Sequence, residues 1–293
     1  MTAPLFVLGA TGQIGDRLGR RLAGAGRPAL LLARRIPQAP GGFEWREADL
    51  GERVAFPPLP PVGIATVPLW LLPPHLEALQ AAGLRRLVAF STTSIFGKAT
   101  TRSAVERRQI DAVLAAEAAL QGASIGVTLL RPALIYGAGR DAGVTAAARF
   151  IARFGCYPLW GPAAGLRQPV HADDLAAAAL AAADRPDLAG QAFNLGGGEM
   201  LGYREMIGRI FDALGRRRRL VPVPGLPWLA AAYGRFGGPA TLTADAVRRM
   251  SHDLAFDDGA AGRAFGYAPR RFLASGVNDL VFPPAQIVNE MYS

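Results

Sequence analysis

The sequence predicts a doubly wound α/β chain with a parallel sheet and a smaller C-terminal subdomain, on three observations. Short apolar runs alternate with helical patterns, a glycine-rich turn joins the first run to the first helix, and the rhythm changes after Tyr136. In order, LFVLGA is followed by IGDRLGRRLAGAG, ALLLAR, GIATVPLW, HLEALQAAG, RLVAFSTTS, the long AVERRQIDAVLAAEAALQ and GVTLLRPAL. Strands that are apolar at every position are buried on both faces, which requires helices above and below a parallel sheet. The later run AAAALAAAD is one more helix, built of the strongest helix former, and no fixed-period repeat occurs. Beyond Tyr136, FGCYPLWGPAAG and VPVPGLPWLAAAYGRFGGP gather Gly, Pro and aromatic residues and predict irregular or capped structure. Residues 1–138 plus 166–196 are therefore assigned to the sheet domain, and 139–165 plus 197–293 to a subdomain on the substrate side.

Composition narrows the functional classes. A chain of 293 residues with 51% hydrophobic and 19% charged residues can bury a large core. The first strand begins within a few residues of Met1, with no basic leader or cleavable apolar segment, so a cytoplasmic location is expected. The longest apolar stretch, LPPVGIATVPLWLLPPHL, carries five prolines, and no membrane span is expected. Cys156 is the single cysteine, read as a buried small side chain, and the three histidines His75, His171 and His252 are scattered, so no metal site is expected. The net charge of +9 would attract acidic partners, but Lys98 is the one lysine among 32 basic residues and arginine is abundant everywhere, the mark of a compositional bias. The dense run Arg216 to Arg219 follows Gly215 after the helical pattern of Ile207, Ile210, Phe211 and Leu214, where positive charge suits the helix dipole. With no aromatic interleaving beside it, no nucleic-acid partner is expected.

VLGATGQIGDRL sets Gly9, Gly12 and Gly15 directly between the first strand and the first helix. One glycine permits the sharp turn, one lets the backbone approach a pyrophosphate, and one packs the helix on the sheet, while the helix N-terminus faces the phosphates. Strand, turn and helix in that order predict a Rossmann-type dinucleotide site formed by Gly9, Thr11, Gly12, Gln13, Ile14 and Gly15. About 20 residues further on, where an acid would hold the ribose hydroxyls of NAD, the second strand ends in Arg34 and Arg35. Guanidinium groups suit a 2′-phosphate, so NADP is expected rather than NAD, the alternative being two surface arginines in an arginine-rich chain.

Seven segments then occur in order: GATGQIG, ADL, STTSIFG, LLRPALIYGAGRD, RQPVHADDLAAA, FNLGGGEMLGYREM and FGYAPRRF. Together they resemble the extended short-chain dehydrogenase/reductases, and among them the NAD-dependent epimerase/dehydratase family. The resemblance implies that Asp49 and Leu50 contact the adenine, that Ser91, Arg131 and Pro132 lie beside the cofactor, and that Thr92 takes the hydroxyl position next to the reacting oxygen. It also implies that Tyr136 is near the substrate cleft and that Thr93 and Arg167 contact the substrate, Arg167 as a phosphate ligand, with a surface salt bridge as its alternative. Tyr136 is a tentative catalytic candidate with Thr92, although Thr92 and Thr93 can equally cap the strand end.

The resemblance fails at the catalytic pair. Family members place a tyrosine four residues before a lysine, because a phenol with a pKa near 10 needs adjacent positive charge to work at neutral pH. Counting back from Glu117 puts Gln109 and Val113 at those positions; counting from the capping box Ser103 to Glu106 gives Val105 and Gln109. No tyrosine occurs from Ser91 to Arg131, and Lys98 comes too early. Glu106 is the nearest titratable candidate, with helix capping as its ordinary role; His171 and Asp174 are read as structural. The stretch between Asp49 and RRLV is also shorter than in typical members, as in atypical branches of the superfamily. Two functions stand: an atypical NADP-linked oxidoreductase or epimerase acting on a small molecule, or a noncatalytic NADP-binding regulator or assembly factor. A homodimer is compatible with either.

Overall fold

The computed structural model describes residues 3–38, 41–99, 101, 103–235 and 244–280. Six strands of the main sheet come first in the chain: β1 (Leu5–Leu8), β2 (Ala29–Ala33), β3 (Glu44–Glu47), β4 (Val62–Ala65), β5 (Arg86–Phe90) and β6 (Gly126–Pro132). After β7 (Leu134–Tyr136), β8 (Tyr157–Leu159), β9 (Leu166–Arg167) and β10 (Pro169–His171), β11 (Ala192–Leu195) returns to the main sheet. The seven strands run in the order β11-β6-β5-β4-β1-β2-β3, every neighbouring pair parallel. The doubly wound parallel sheet expected from the sequence is therefore present.

The reason lies in which way each residue points. Along β1, Leu5 and Val7 join one core while Phe6 and Leu8 join the other; along β2, Leu31 separates in the same way from Leu30 and Leu32. Helix α1 (Gln13–Gly24) lays Ile14, Leu18 and Leu22 on the first core, each a helical turn apart. Full burial of one such leucine stabilises the fold by roughly 1.5–3 kcal/mol, so a Leu18→Ala change would open a cavity under the sheet. The second face is closed by α2 (Leu76–Ala81) and, past the short α3 (Ser94–Gly97), by α4 (Ala104–Gln121), through Leu79, Ile110, Val113, Ala116 and Leu120. Helix α4 starts where expected, with Ser103 Oγ accepting from the Glu106 N–H at 3.3 Å.

The second half builds on α5 (Val144–Phe154), α6 (Ala172–Ala183), α7 (Tyr203–Ala213), α8 (Leu226–Arg235), α9 (Ala244–Arg248) and α10 (Gly259–Phe265). Alanine-rich α6 returns to the sheet and packs beside α1, its small side chains allowing close approach. Two further clusters hold the remainder, one around Tyr136, Ile151, Ile210, Phe211 and Phe272, the other around Leu159, Ala230, Val247 and Met250. Strands β12 (Leu201–Gly202) and β13 (Leu220–Pro222) pair with β9 and β8.

Three local expectations change. The run GIATVPLW is strand only as far as Ala65, because Pro68 has no N–H to donate and the chain turns into a 3-10 segment at Leu69–Leu71. VPVPGLPWLAAAYGRFGGP is not irregular throughout: Gly225 turns the chain with φ +73° and α8 follows, while residues 236–239 lie outside the described residues. Cys156 is half-buried rather than buried, in the loop after the left-handed Gly155 that ends α5. After Asp49 no helix separates β3 from β4, and α2 spans six residues. Among the described residues, no helix is long and apolar enough to cross a membrane, and no cluster of His, Cys, Asp and Glu could hold a metal ion.

Candidate functional site

The strand order reverses between β1 and β4, and in open α/β sheets the crevice at the carboxyl ends of such strands is where ligands sit. The glycine turn lies there. Gly9 adopts φ +82°, and its N–H and that of Ala10 both donate to the Leu32 carbonyl, tying the turn to the end of β2. Thr66, one residue past β4, donates its hydroxyl to the Leu8 and Gly9 carbonyls from the other side. A Cβ on Gly15 would stand 2.2 Å from the Gly9 carbonyl oxygen and 2.7 Å from Ala10 Cα, so glycine is what lets α1 seat against the turn. Gly12 is the N-cap and has no side chain to satisfy the first-turn amides, which also lack intrahelical acceptors. Those amides, with the positive end of the helix dipole, form an anion-binding cradle. Within the first turns, Gln13 Oε1 and Arg17 Nε are buried without a hydrogen-bond partner among the described residues.

The other residues expected at the cofactor flank the crevice or its loops. Arg34 and Arg35 follow β2, both exposed. Asp49 is exposed and accepts from the Gly51 N–H at 2.9 Å, which fixes the turn after β3, while Leu50 is buried. Arg140 donates to the Thr11 carbonyl at 2.7 Å and Arg17 to the Gly137 carbonyl at 2.7 Å, so the loop after Tyr136 is tied to the glycine turn.

At the end of β5 the expected residues are used differently. Ser91 donates to Glu117 Oε1 at 2.5 Å, and Arg131 binds both Glu117 oxygens through Nε at 2.8 Å and Nη2 at 2.5 Å. Glu117 is buried, so this triad is an internal brace between α4 and β6, and Ser91 and Arg131 spend their polar groups on it. Pro132 is buried and its carbonyl takes the Thr93 hydroxyl and the Thr93 N–H, both at 3.1 Å. Thr92 accepts from the Ser94 N–H at 3.0 Å, as a strand-end cap would, and keeps its own hydroxyl proton for another partner.

The remaining candidates separate. Tyr136 is 1% exposed; Leu273 N–H donates to its hydroxyl, and the rings of His171 and Phe272 pack edge-on against it. Burial pushes its phenol far above the ordinary value, so Tyr136 belongs to the core and is not brought to the cleft. His171 is structural, with Nδ1 accepting from the Asp173 N–H at the start of α6, and Asp174 pairs with Arg270. Arg167 is not a surface salt bridge. It is buried, donates to the carbonyls of Leu166, His252 and Arg249, lies over the Tyr203 ring, and is brought down to about 10 by burial.

A cleft of about 830 Å³ opens beside the end of β5, with Thr93, Ser94, Gln109 and Arg167 on its walls. Of the two registers for the missing pair, Gln109 faces this cleft while Val113 is in the sheet core. Beside Gln109 stands a charged cluster the sequence did not reveal. Glu106 is held bidentately by Arg249 at 2.8 and 2.9 Å, by Lys98 at 3.2 Å, and by the Thr101 hydroxyl at 2.6 Å. Burial alone would raise the Glu106 pKa; the hydrogen bonds from Arg249 and Thr101 and the charges of Lys98 and Arg249 outweigh it and hold it at about 2. Ser103 thus caps α4 by accepting from the Glu106 N–H, while the Glu106 carboxylate, expected to cap the helix, instead ties α4 to the segment after α9, the Ser103 N–H going to the Thr101 hydroxyl. Lys98, too early in sequence to serve α4, reaches it through the turn after α3. Arg249 had no sequence signal, being one of many arginines and remote along the chain. Thr66 was also missed, its only hint being its place one residue past a strand.

Fold and site together define a Rossmann-type α/β protein with a glycine turn at the carboxyl end of its parallel sheet. Residues 75–196 match the NAD dependent epimerase/dehydratase family, the same family that the motifs resemble. The match takes in the segments around Ser91, Arg131 and His171; the glycine turn lies before it and stands on its geometry. UDP-N-acetylglucosamine 4-epimerase from Bacillus cereus superposes with a TM-score of 0.70 at 17% identity, covering 95% of each chain. UDP-glucuronic acid 4-epimerase from Bacillus cereus, in complex with UDP-glucuronic acid and NAD, gives 0.69 at 15% identity over 99% of this chain and 100% of that one. At such identities the likeness is one of fold. An uncharacterised protein of Sinorhizobium fredii, y4nG, is 26% identical over 202 residues, 65% of this chain; the chain spans about half the length, 50%, of that curated relative.

Proposed function

We propose that the protein is an NADP-linked, epimerase/dehydratase-like oxidoreductase or epimerase that works on a small molecule without the usual tyrosine–lysine pair. The observation that carries this is the uncapped N-terminus of α1 over the Gly9 to Gly15 turn, with Arg34 and Arg35 exposed at the end of β2. In this reading the amides of Gln13 and Ile14 take the pyrophosphate, Arg34 and Arg35 take the 2′-phosphate, and Asp49 and Leu50 flank the adenine. The dinucleotide, when bound, supplies or accepts a hydride. Thr92 donates its free hydroxyl proton to the substrate oxygen, Gln109 orients the substrate from α4, and the Glu117 brace fixes the strand end that carries Thr92.

Titration of the protein's fluorescence with NADPH and NADH tests the cofactor. A charge-assisted contact contributes about 1.5–3 kcal/mol, so Arg34→Ala with Arg35→Ala should weaken NADPH roughly 10-fold or more and leave NADH unchanged. Equal affinity of the native protein for both cofactors would remove the NADP assignment.

A second reading, a noncatalytic NADP-binding regulator or assembly factor, is favoured by the buried Val113, which takes the family's lysine position in the register counted from Glu117, and by a Glu106 that stays ionised at neutral pH. NADPH consumption with a panel of carbonyl compounds and sugar nucleotides separates the two. Tight cofactor binding with no turnover on any of them supports the regulator.

A further inference from the structure

We infer that the cleft beside the cofactor crevice takes an uncharged small molecule with an apolar body and a single hydrogen-bonding oxygen, and not a nucleoside diphosphate sugar. The inference rests on the proposed cofactor site for its chemistry, but the cleft is defined independently of it. A diphosphate needs cations with donors to spare. Among the described residues of the cleft, three cations face two carboxylates; both arginines are committed to protein oxygens, and Lys98 pairs with Glu106. Arg249 gives both terminal nitrogens to Glu106, Lys98 adds its charge to the same carboxylate, and Arg167 donates to three backbone carbonyls. The second carboxylate, Asp141, accepts from the N–H groups of Gly143 and Thr145 and from the Thr145 hydroxyl.

Apart from Lys98, whose charge is matched by Glu106, what remains open to a ligand is neutral or apolar. The Ser94 hydroxyl and the Gln109 amide both line the cleft and make no side-chain hydrogen bond among the described residues. Leu134, Ile135, Leu254 and Phe256 are only half-buried, and Val105 is 57% exposed, yet all five line the same concavity. Alanines of α8 and α9, Ala230, Ala231 and Ala244, also line it, with methyl groups rather than donors. Apolar surface left wet in a concave site of this size is what a ligand's hydrocarbon covers, while one or two convergent polar groups fix its orientation. Seating a diphosphate there would instead break the Glu106 cluster and desolvate a carboxylate beside the incoming charge.

Isothermal titration decides this with undecan-2-one and UDP-glucose as probes, each with and without saturating NADPH, and with NADPH binding measured first by itself. The expected result is that the ketone binds at least 10-fold more tightly than UDP-glucose. Val105→Asp, at an exposed helix position where folding is not at risk, should weaken the ketone at least 10-fold and leave NADPH affinity unchanged. Gln109→Ala should weaken it by a smaller factor. Tighter binding of UDP-glucose, or a ketone affinity indifferent to Val105→Asp, overturns the inference. If NADPH fails to bind while the ketone binds and responds to Val105→Asp, the cofactor reading falls and the cleft assignment stands; if NADPH binds and the ketone does not, the reverse holds.

Discussion

Glu106→Gln isolates the charged cluster that takes the place expected of a catalytic pair. The substitution keeps the N–H that Ser103 caps and nearly the same shape, and removes only the charge that Arg249 and Lys98 face. The carboxyl is held at about 2 against an ordinary 4.5, with its side chain 14% exposed. At about 1.4 kcal/mol per pH unit, that depression corresponds to roughly 3 kcal/mol of stability at neutral pH. Because the folded-state pKa lies below the unfolded one, this stability is present above pH 4.5 and is lost as pH falls toward 2. Integrating between those limits, about 2 kcal/mol of it is gone by pH 3. Urea unfolding of the native and variant proteins at pH 7, 5 and 3 measures the difference between them, which cancels the titration of other carboxylates. The gap should be about 3 kcal/mol at pH 7 and 5 and near 1 kcal/mol at pH 3. A gap that stays constant with pH, or one below about 1 kcal/mol at pH 7, would refute the account and mark Glu106 as an ordinary surface charge.

Two further substitutions probe the rest of the site. Gly15→Ala replaces glycine within a helix and on propensity alone would stabilise by about 1 kcal/mol; the contact with the Gly9 carbonyl reverses the sign, and thermal unfolding should show a loss of about 1–3 kcal/mol together with weaker NADPH binding. Tyr136→Phe should cost about 1–2 kcal/mol through the unpaired Leu273 N–H. It should leave the pH dependence of any turnover unmoved, and a shifted profile would return Tyr136 to the list of catalytic groups.

Much of this was legible in the chain itself. Continuous apolar strands spaced by helical patterns dictate a covered parallel sheet, because each strand's two faces must both find a core, and the observed division of Leu5 and Val7 from Phe6 and Leu8 is that rule made visible. The glycine turn was legible for a similar reason: a positive φ at Gly9 and the close seat of Gly15 are local requirements that only one residue type meets. The segment around Arg131 was recognised correctly as part of the fold, yet its guanidinium proved to be an internal brace, since a motif records residue types and not the direction in which a side chain spends its hydrogen bonds.

What only the tertiary structure decided is how the charges near the cleft are paired and which hydroxyls are sealed. Glu106 and Arg249 are 143 residues apart and meet because α4 and the segment after α9 converge on one cleft. Tyr136 leaves the site because the residues around Phe272 fold back over it. Periodicity and turn chemistry act between near neighbours and are written in the order of residues, whereas the pairing of a buried charge depends on which surfaces the finished core brings within about 3 Å of each other.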